Sequence, residues 1–253
     1  MLGIIGGTGL TQLANLEITH RQVARTPYGE PSGALTFGRI CGQDVIFLAR
    51  HGYGHTIPPH AVNYRANLWA LKDHGVDRVV SVATVGGIHP GLIPGTLTIP
   101  DQIIDYTHGR AATYFASDDK PVTHLDFTFP YCEAMRAALL QAAARAGISL
   151  REGGVYGAVQ GPRLETAAEI NRMERDGADM VGMTGMPEAY LARELELCYA
   201  TVGAVVNYAA GRGLSAEGIH MEEIQSVLGE VMLQVRHLLE QLVTNDAAGL
   251  CTY

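Results

Sequence analysis

Residues 160–188 have the sequence QGPRLETAAEINRMERDGADMVGMTGMPE, and the pattern of this stretch decides the expected fold. A Gly-Pro pair breaks regular structure near its start, a short helical pattern follows, and an apolar run typical of a buried strand comes next. Loops at strand ends meet at one edge of a sheet, where α/β proteins bind ligands. Glu165, Met183 and Thr184 are therefore expected to face one ligand. The alternative is that Glu165 only begins a helix and interacts with its dipole.

Strand and helix patterns alternate along most of the chain. Such alternation predicts an α/β fold, a single domain over residues 1–243 with a central mixed β-sheet flanked by helices, followed by a loose tail at 244–253. A long irregular region at 105–130 is expected either to cover a site or to reach a neighbouring subunit. Strands are expected at residues 2–5, 33–40, 44–49, 76–85, 96–104, 153–160 and 198–206, and helices at 62–74, 132–146, 188–195 and 221–243.

The composition restricts the class of partner. The net charge is −8, and 47% of the residues are hydrophobic. An acidic chain with a well-filled core is not expected to bind nucleic acid or an anionic membrane, although local groups can still hold a small anion. The four cysteines have no C-x-x-C spacing, so neither a zinc site nor a disulfide framework is expected. We therefore expect a cytoplasmic protein with reduced cysteines.

Polar side chains follow four of the predicted strands. Glycine turns supply backbone N–H groups, an arginine supplies a planar fork and threonines supply hydroxyls, which together suit a tetrahedral oxyanion. The residues concerned are Thr8, Arg50, His51, Thr84 and Thr184. Glu165 and Asn207 lie on different predicted loops and suit the edge of a flat heterocycle, with Met183 and Tyr208 as apolar surface between the two groups.

No metal or cofactor is expected. His51, His55 and His60 lie close together in the sequence, but no carboxylate or cysteine completes a recognisable set of ligands. The glycine-rich turn after residues 2–5 lacks the full G-x-G-x-x-G pattern, which disfavours a dinucleotide fold.

Five motifs at these positions carry a family resemblance: IIGGTG, LARHG, HTIPPHAVNYRANLWAL, GPRLET and GMTGMPEAYLARE. They resemble the purine nucleoside phosphorylase family and, within it, the branch that cleaves 5′-deoxy-5′-methylthio nucleosides. The resemblance covers residues 2–243. It implies a homotrimer that needs no metal and uses inorganic phosphate as co-substrate.

The resemblance also implies roles for individual residues. Met183 would lie against the ribose, and His124 would enter the 5′ pocket of a neighbouring subunit. His220 stands about where the ordinary nucleoside branch has a histidine for the 5′-hydroxyl. Phosphate binding would fall to Thr8, Arg50, His51, Thr84 and Thr184.

In the expected reaction, phosphate attacks the anomeric carbon of the ribose while the bond to the purine breaks. Arg50 would hold the phosphate, which stabilises the developing ribosyl cation. The Asn207 amide would donate to N7 of the leaving purine. Arg50 and Asn207 are thus the expected catalytic residues, and no covalent nucleophile is required.

Three positions bear on the choice of purine. Adenine-specific members of the family have acids at the places of Asn207 and Ala209 and a serine at Glu165, and this chain departs at all three. Hypoxanthine N1–H can donate to the Glu165 carboxylate, whereas adenine would leave a buried mismatch of roughly 1–3 kcal/mol. The sequence therefore favours methylthioinosine over methylthioadenosine.

The sequence does not decide which group the substrate carries at its 5′ position. Met221, Ile224 and Leu228 are able to form an apolar pocket for a methylthio group, whereas His220 suits a hydroxyl, so activity toward inosine is also expected. The alternatives are a general 6-oxopurine nucleoside phosphorylase, a nucleosidase that uses water, a nucleoside sensor without turnover, and a hydrolase with a metal on His51, His55 and His60.

Overall fold

A computed structural model describes residues 1–10, 12–116 and 121–245. In these residues the chain forms eleven strands and five α-helices. The strands are β1 Leu2–Gly6, β2 Glu17–Gln22, β3 Leu35–Ile40, β4 Gln43–Ala49, β5 Arg78–Gly87, β6 Leu97–Ile99, β7 Gln102–Asp105, β8 Leu150–Glu152, β9 Val155–Ala158, β10 Met180–Gly182 and β11 Cys198–Tyr208. The helices are α1 Tyr64–Asp73, α2 Glu133–Ala146, α3 Ala167–Arg175, α4 Gly185–Glu194 and α5 Met221–Thr244.

The strands form one mixed sheet. The order along its main path is β2-β3-β4-β1-β5-β10-β9-β7, and β11, β6 and β8 branch from β5. Strands β4, β1, β5 and β11 are mutually parallel where they pair, whereas β2, β3 and β4 form an antiparallel meander. This architecture confirms the predicted α/β class with a central mixed sheet.

Helices cover both faces of the central strands. Val80 and Val82 of β5 pack in a cluster with residues of α2 and α5, whereas Val79 and Val85 pack with residues of α1 and α4. A strand buried on both faces is apolar at nearly every position, which explains the almost continuous hydrophobic run of β5.

Strand β5 changes its neighbour along its length, and this change opens the sheet. β11 pairs with β5 over residues 78–87 on one side. On the other side β1 pairs with Arg78–Ser81, and β10 pairs only with Gly86 and Gly87. No described strand pairs with residues 82–85 on this side, so the end of β1 and the end of β10 diverge around an opening in the middle of the sheet.

The structure refines some of the predicted boundaries. The strand expected at 96–104, with a break at Pro100, is two strands, because β6 and β7 pair with different partners. Strand β2 was missed because all six of its residues are exposed, so it lacks an alternating apolar pattern. The described part of residues 106–130 contains no helix or strand, in agreement with the predicted irregular region.

The prediction of unpaired cysteines was also wrong. Cys132 and Cys198, which are 66 residues apart in the sequence, form a disulfide between the start of α2 and the start of β11. No short cysteine motif marks such a long-range pair, so the sequence carried no local signal for it. Cys41 is free and exposed.

At the end of the chain, α5 extends to Thr244, while the rest of the predicted tail, from residue 246, lies outside the described residues. None of the helices described is long and apolar enough to cross a bilayer.

Candidate active site

A cavity of about 600 Å³ occupies the opening beside β5. Its walls come from the end of β1, the segment after β4, residues 83–86 of β5, the segment after β10 and the bulged end of β11. Eight of the predicted site residues line it: Thr8, Arg50, His51, Thr84, Glu165, Met183, Thr184 and Asn207. The structure thus brings together residues that are up to 199 positions apart in the chain (Thr8 to Asn207).

One end of the cavity begins at the turn after β1. A Cβ atom at Gly7 would lie 2.7 Å from the carbonyl oxygen of Val82 and 2.9 Å from Nη1 of Arg50. Only glycine fits between these atoms, so the turn passes close to the arginine and leads directly to Thr8. We call the region formed by Gly7, Thr8, Arg50, His51 and Thr184 the anion end.

Arg50 is fully buried and is held by a carboxylate that the sequence did not predict for the site. Its Nε and Nη2 donate to Glu188 over 2.7 and 2.9 Å, Nη2 also donates to Ser81 Oγ over 2.6 Å, and Nη1 donates to the carbonyl of Val82 over 3.0 Å. The planar fork is therefore occupied by Glu188. Among the described residues only one Nη1 hydrogen of Arg50 has no partner, so it is the N–H that this arginine keeps for a ligand of the cavity it lines.

Glu188 was missed because its local sequence looks ordinary. It lies within the first turn of α4, where acidic residues are common for reasons unrelated to function. Only the tertiary structure shows that this carboxylate is 1% exposed and paired with Arg50.

His51 is neutral at physiological pH. Its Nδ1 donates to the carbonyl of Ile57 over 2.8 Å, so Nε2 carries the lone pair. Burial, together with the charge of Arg50, lowers the pKa of His51 to about 4. His51 therefore offers the cavity an acceptor and no charge.

Thr184 directly precedes α4 and is buried. Met186 has non-helical backbone angles, so the regular part of α4 begins after it. The side chain of Thr184 does not cap the helix, and its backbone N–H donates to the hydroxyl of Tyr156 over 3.4 Å. Thr184 lines the cavity together with Thr8.

The other end of the cavity, which we call the base end, contains Glu165 and Asn207. Thr166 and Glu169 form a complete capping box at the start of α3, so Glu165 precedes the helix and is not needed to begin it. Burial raises the pKa of the Glu165 carboxyl above its ordinary value. No other described side chain forms a hydrogen bond with this carboxyl, although a backbone N–H does, so the carboxyl has no side-chain partner that would compete with a ligand.

Asn207 follows an irregularity in β11. The register against β5 shifts between Val205 and Asn207, so Val206 is an extra residue, and Val206 and Asn207 both line the cavity. Bulges of this kind redirect side chains toward sites. The Asn207 amide nitrogen donates to the carbonyl of Tyr208 over 2.6 Å, which leaves one N–H and the amide oxygen for a ligand.

Met183 lines the same cavity. A Cβ atom at Gly161 would lie 2.5 Å from the Met183 sulfur, so the turn at Gly161 packs tightly on this side chain. The packing of Gly161 therefore holds an apolar side chain at the wall of the cavity.

Four residues that the sequence analysis named, His124, Tyr208, His220 and Leu228, are not among those that line this cavity. His124 is exposed on the irregular region, and His220 is exposed immediately before α5. Met221 and Ile224, at the start of α5, do line the cavity, whereas Leu228 packs toward Gly9. The structure therefore supplies an apolar edge at this end of the cavity, smaller than the sequence predicted.

The histidines do not form a metal centre with other ligands. The rings of His51 and His55 are 4.8 Å apart between centroids. Across residues 1–10, 12–116 and 121–245, no three histidine, cysteine or acidic side chains are grouped as a metal site requires.

Comparison with known proteins gives the family. The model of the phosphorylase superfamily matches residues 1–244, and this chain belongs to that superfamily. A probable S-methyl-5′-thioinosine phosphorylase of Pseudomonas syringae pv. tomato is 52% identical over 241 residues, which cover 95% of this chain and 97% of the relative. A 6-oxopurine nucleoside phosphorylase of Pyrococcus furiosus is 47% identical over 215 residues, which cover 83% of this chain and 80% of the relative.

A solved structure shows the same fold. Methylthioadenosine phosphorylase from Schistosoma mansoni in complex with adenine superposes with a TM-score of 0.93 at 31% identity, covering 98% of this chain and 92% of that one. The resemblance inferred from the sequence motifs is thereby confirmed.

Proposed function

We propose that this protein cleaves 5′-deoxy-5′-methylthio purine nucleosides with inorganic phosphate, releasing the free purine and 5-methylthioribose 1-phosphate. One observation supports the proposal: a single cavity is lined by the residues of the anion end, by the residues of the base end and by Met183. That arrangement matches the three parts of the reactants, which are phosphate, purine and sugar. The names of the relatives from Pseudomonas syringae and Schistosoma mansoni support the methylthio substrate.

The reaction needs few protein groups. A phosphate oxygen forms a bond to the anomeric carbon as the bond from that carbon to purine N9 breaks, and the electron pair goes to the purine. In this proposal Thr8, Thr184 and the remaining Nη1 hydrogen of Arg50 hold the phosphate. The remaining amide N–H of Asn207 is placed to donate to N7 and stabilise the leaving purine.

The base end favours a 6-oxopurine. Its groups are a carboxylate without a side-chain partner, Glu165, and an amide with a free N–H and a free oxygen, Asn207. Hypoxanthine offers an N1–H donor to the carboxylate and an O6 acceptor to the amide. Adenine has a lone pair at N1, which faces the carboxylate unfavourably. We therefore propose methylthioinosine as the preferred substrate and methylthioadenosine as the poorer one.

A second candidate function is general 6-oxopurine nucleoside phosphorylase. The Pyrococcus furiosus relative bears that name at 47% identity. His220 directly precedes Met221, which lines the cavity, so a modest movement at the start of α5 would bring its ring to a 5′-hydroxyl. Met221 and Ile224 favour the methylthio group instead, because they are apolar.

We also propose a cytoplasmic homotrimer in which His124 enters a neighbouring site. Val122 and Phe129, which flank His124 on the irregular region, are 81% and 70% exposed. Large apolar side chains exposed so close together favour burial against another subunit. No cofactor is needed in this proposal besides phosphate as co-substrate.

An assay of four nucleosides with and without phosphate tests the proposed function. We expect turnover of methylthioinosine to exceed that of methylthioadenosine, inosine and adenosine, and to stop when phosphate is omitted. Cleavage that continues in phosphate-free buffer would identify a nucleosidase, and preference for inosine would support the second candidate function. Binding without any turnover would indicate a sensor, whereas loss of turnover on adding a chelator would indicate a metal-dependent hydrolase.

A further inference from the structure

The partner of Arg50, Glu188, accepts four hydrogen bonds. Its two oxygens accept from Nε and Nη2 of Arg50 over 2.7 and 2.9 Å. Ser81 Oγ and the Tyr199 hydroxyl donate to the same Oε1 over 2.6 and 2.8 Å. Both members of the pair are at most 1% exposed. Each charge in this buried pair is therefore matched by the other and by neutral hydrogen-bond partners.

Both members of the pair are ionised. Burial alone would lower the pKa of Arg50, but the charge and hydrogen bonds of Glu188 outweigh it and raise that pKa above its ordinary value. Burial alone would raise the pKa of Glu188, but Arg50, Ser81 and Tyr199 outweigh it and lower that pKa. A positive and a negative charge thus cancel directly behind the cavity wall.

The anion end consequently presents no unmatched positive charge. Arg50 contributes one Nη1 hydrogen, Thr8 and Thr184 contribute uncharged groups, and His51 is neutral. The other titratable side chains that line the cavity are His55 and Glu165, of which Glu165 belongs to the base end.

We infer that Glu188 is a positioning residue that cancels the charge of Arg50 and leaves it a single N–H for the bound phosphate. The negative charge of phosphate is then not neutralised by Arg50 and interacts with the ribosyl cation that develops in the transition state. This inference rests on the proposed phosphorolysis. A cation in full contact with phosphate would stabilise the ground state as much as the transition state or more, and such binding does not raise kcat. With Arg50 already paired, the main opposite charge available to phosphate is the ribosyl cation that develops in the transition state.

The first test is Glu188→Gln, which removes the charge and keeps the volume. We expect the Kd of inorganic phosphate, measured by isothermal titration calorimetry without nucleoside, to become about tenfold tighter, because Arg50 is then unmatched. We expect kcat with methylthioinosine to fall about tenfold or more. A weaker phosphate Kd with unchanged kcat would overturn the inference.

Tyr199→Phe is the matched control. It removes one hydrogen bond to the same oxygen of Glu188 and leaves both charges in place. We expect its phosphate Kd to stay within about threefold of that of the unaltered protein. If Tyr199→Phe and Glu188→Gln change the phosphate Kd equally, Glu188 has a purely structural role and the inference is wrong.

A charge-free pair keeps the inference testable if Glu188→Gln does not fold. Arg50→Gln alone leaves Glu188 buried and unmatched, whereas the double variant Arg50→Gln with Glu188→Gln leaves no buried charge. We expect the single variant to bind phosphate more than about 100-fold more weakly and the double variant to recover to within about tenfold of the unaltered protein. Equal weakening in both variants would contradict charge cancellation. Calorimetry separates this outcome from failure of the proposed function, which would appear as absence of phosphate-dependent cleavage in the unaltered protein.

Discussion

The two ends of the cavity are built differently. At the anion end, Arg50 is 0% exposed and its fork is fully engaged by Glu188 and Ser81 before any ligand binds. At the base end, Glu165 and Asn207 are half-buried, and each keeps polar atoms without a protein partner. In the proposed reaction, the arginine that binds phosphate therefore belongs to the core of the fold, whereas the choice of purine depends on two side chains that can change without disturbing the core.

The largest expected effect is that of Arg50→Ala. It removes an anion contact and leaves Glu188 buried without its partner, so we expect turnover of all four nucleosides to fall about 10³-fold and the free energy of unfolding to fall by about 3–5 kcal/mol. Steady-state kinetics and thermal melts measure the two effects. Arg163→Ala, which breaks an exposed ion pair with Glu169, is the control and should change neither by much. Intact turnover in Arg50→Ala would refute the assignment of the anion end.

The next effect concerns the base end alone. Asn207→Asp adds a carboxylate that can accept from the 6-amino group of adenine and repels O6 of hypoxanthine. We expect the ratio of kcat/KM for methylthioinosine to that for methylthioadenosine to fall about 10- to 100-fold. Thermal stability should change little, because Asn207 is half-buried. An unchanged ratio would remove Asn207 from purine selection, and Asn171→Asp on the exposed face of α3 is the control.

Glu165→Gln should have a smaller effect with a characteristic pH dependence. The carboxylate form accepts from N1–H, and burial raises the pKa of this carboxyl, so turnover of methylthioinosine should decline as pH falls through that raised pKa. We expect Glu165→Gln to lower kcat/KM about tenfold at pH 7 and to abolish this acidic decline. A pH profile identical to that of the unaltered protein would show that Glu165 does not contact the base.

The smallest effect is expected from His51 and appears in stability. Its folded pKa of about 4 is below the ordinary 6.5, so the unfolded chain binds the proton more tightly. The contribution of His51 to the free energy of unfolding is fully present above about pH 6.5 and is lost as the pH falls toward 4. Between pH 7 and pH 6 the loss is about 0.7 kcal/mol. Thermal melts of His51→Asn should lack this component, and an unchanged pH dependence would contradict a neutral buried His51.

The two ends also differ in how far the sequence predicted them. Thr8, Arg50 and Thr184 follow strand patterns, so their meeting at one edge was predictable from the α/β alternation. Glu188 was not, because its pairing with Arg50 spans 138 residues and depends on how α4 packs against β11 and β9. For the same reason the sequence assigned the fork of Arg50 to phosphate, whereas the structure shows it bound to Glu188.

The opening in the sheet that forms the cavity could not be predicted from the sequence either. The alternation predicts that β5 is central, but not that β1 and β10 share one of its sides and leave residues 82–85 between them. The bulge at Val206 that carries Asn207 into the cavity is likewise a matter of register between distant strands. Patterns along the chain identify elements, whereas pairing among them determines the shape of the site.

A crystal structure with phosphate and hypoxanthine bound together tests the central claim most directly, which is that one cavity holds an anion and a purine side by side. We expect phosphate oxygens within hydrogen-bonding distance of Thr8, Thr184 and Nη1 of Arg50, with the Arg50–Glu188 pair intact. We expect hypoxanthine between Glu165 and Asn207. Phosphate bound away from Arg50, or the purine bound away from Glu165 and Asn207, would contradict it.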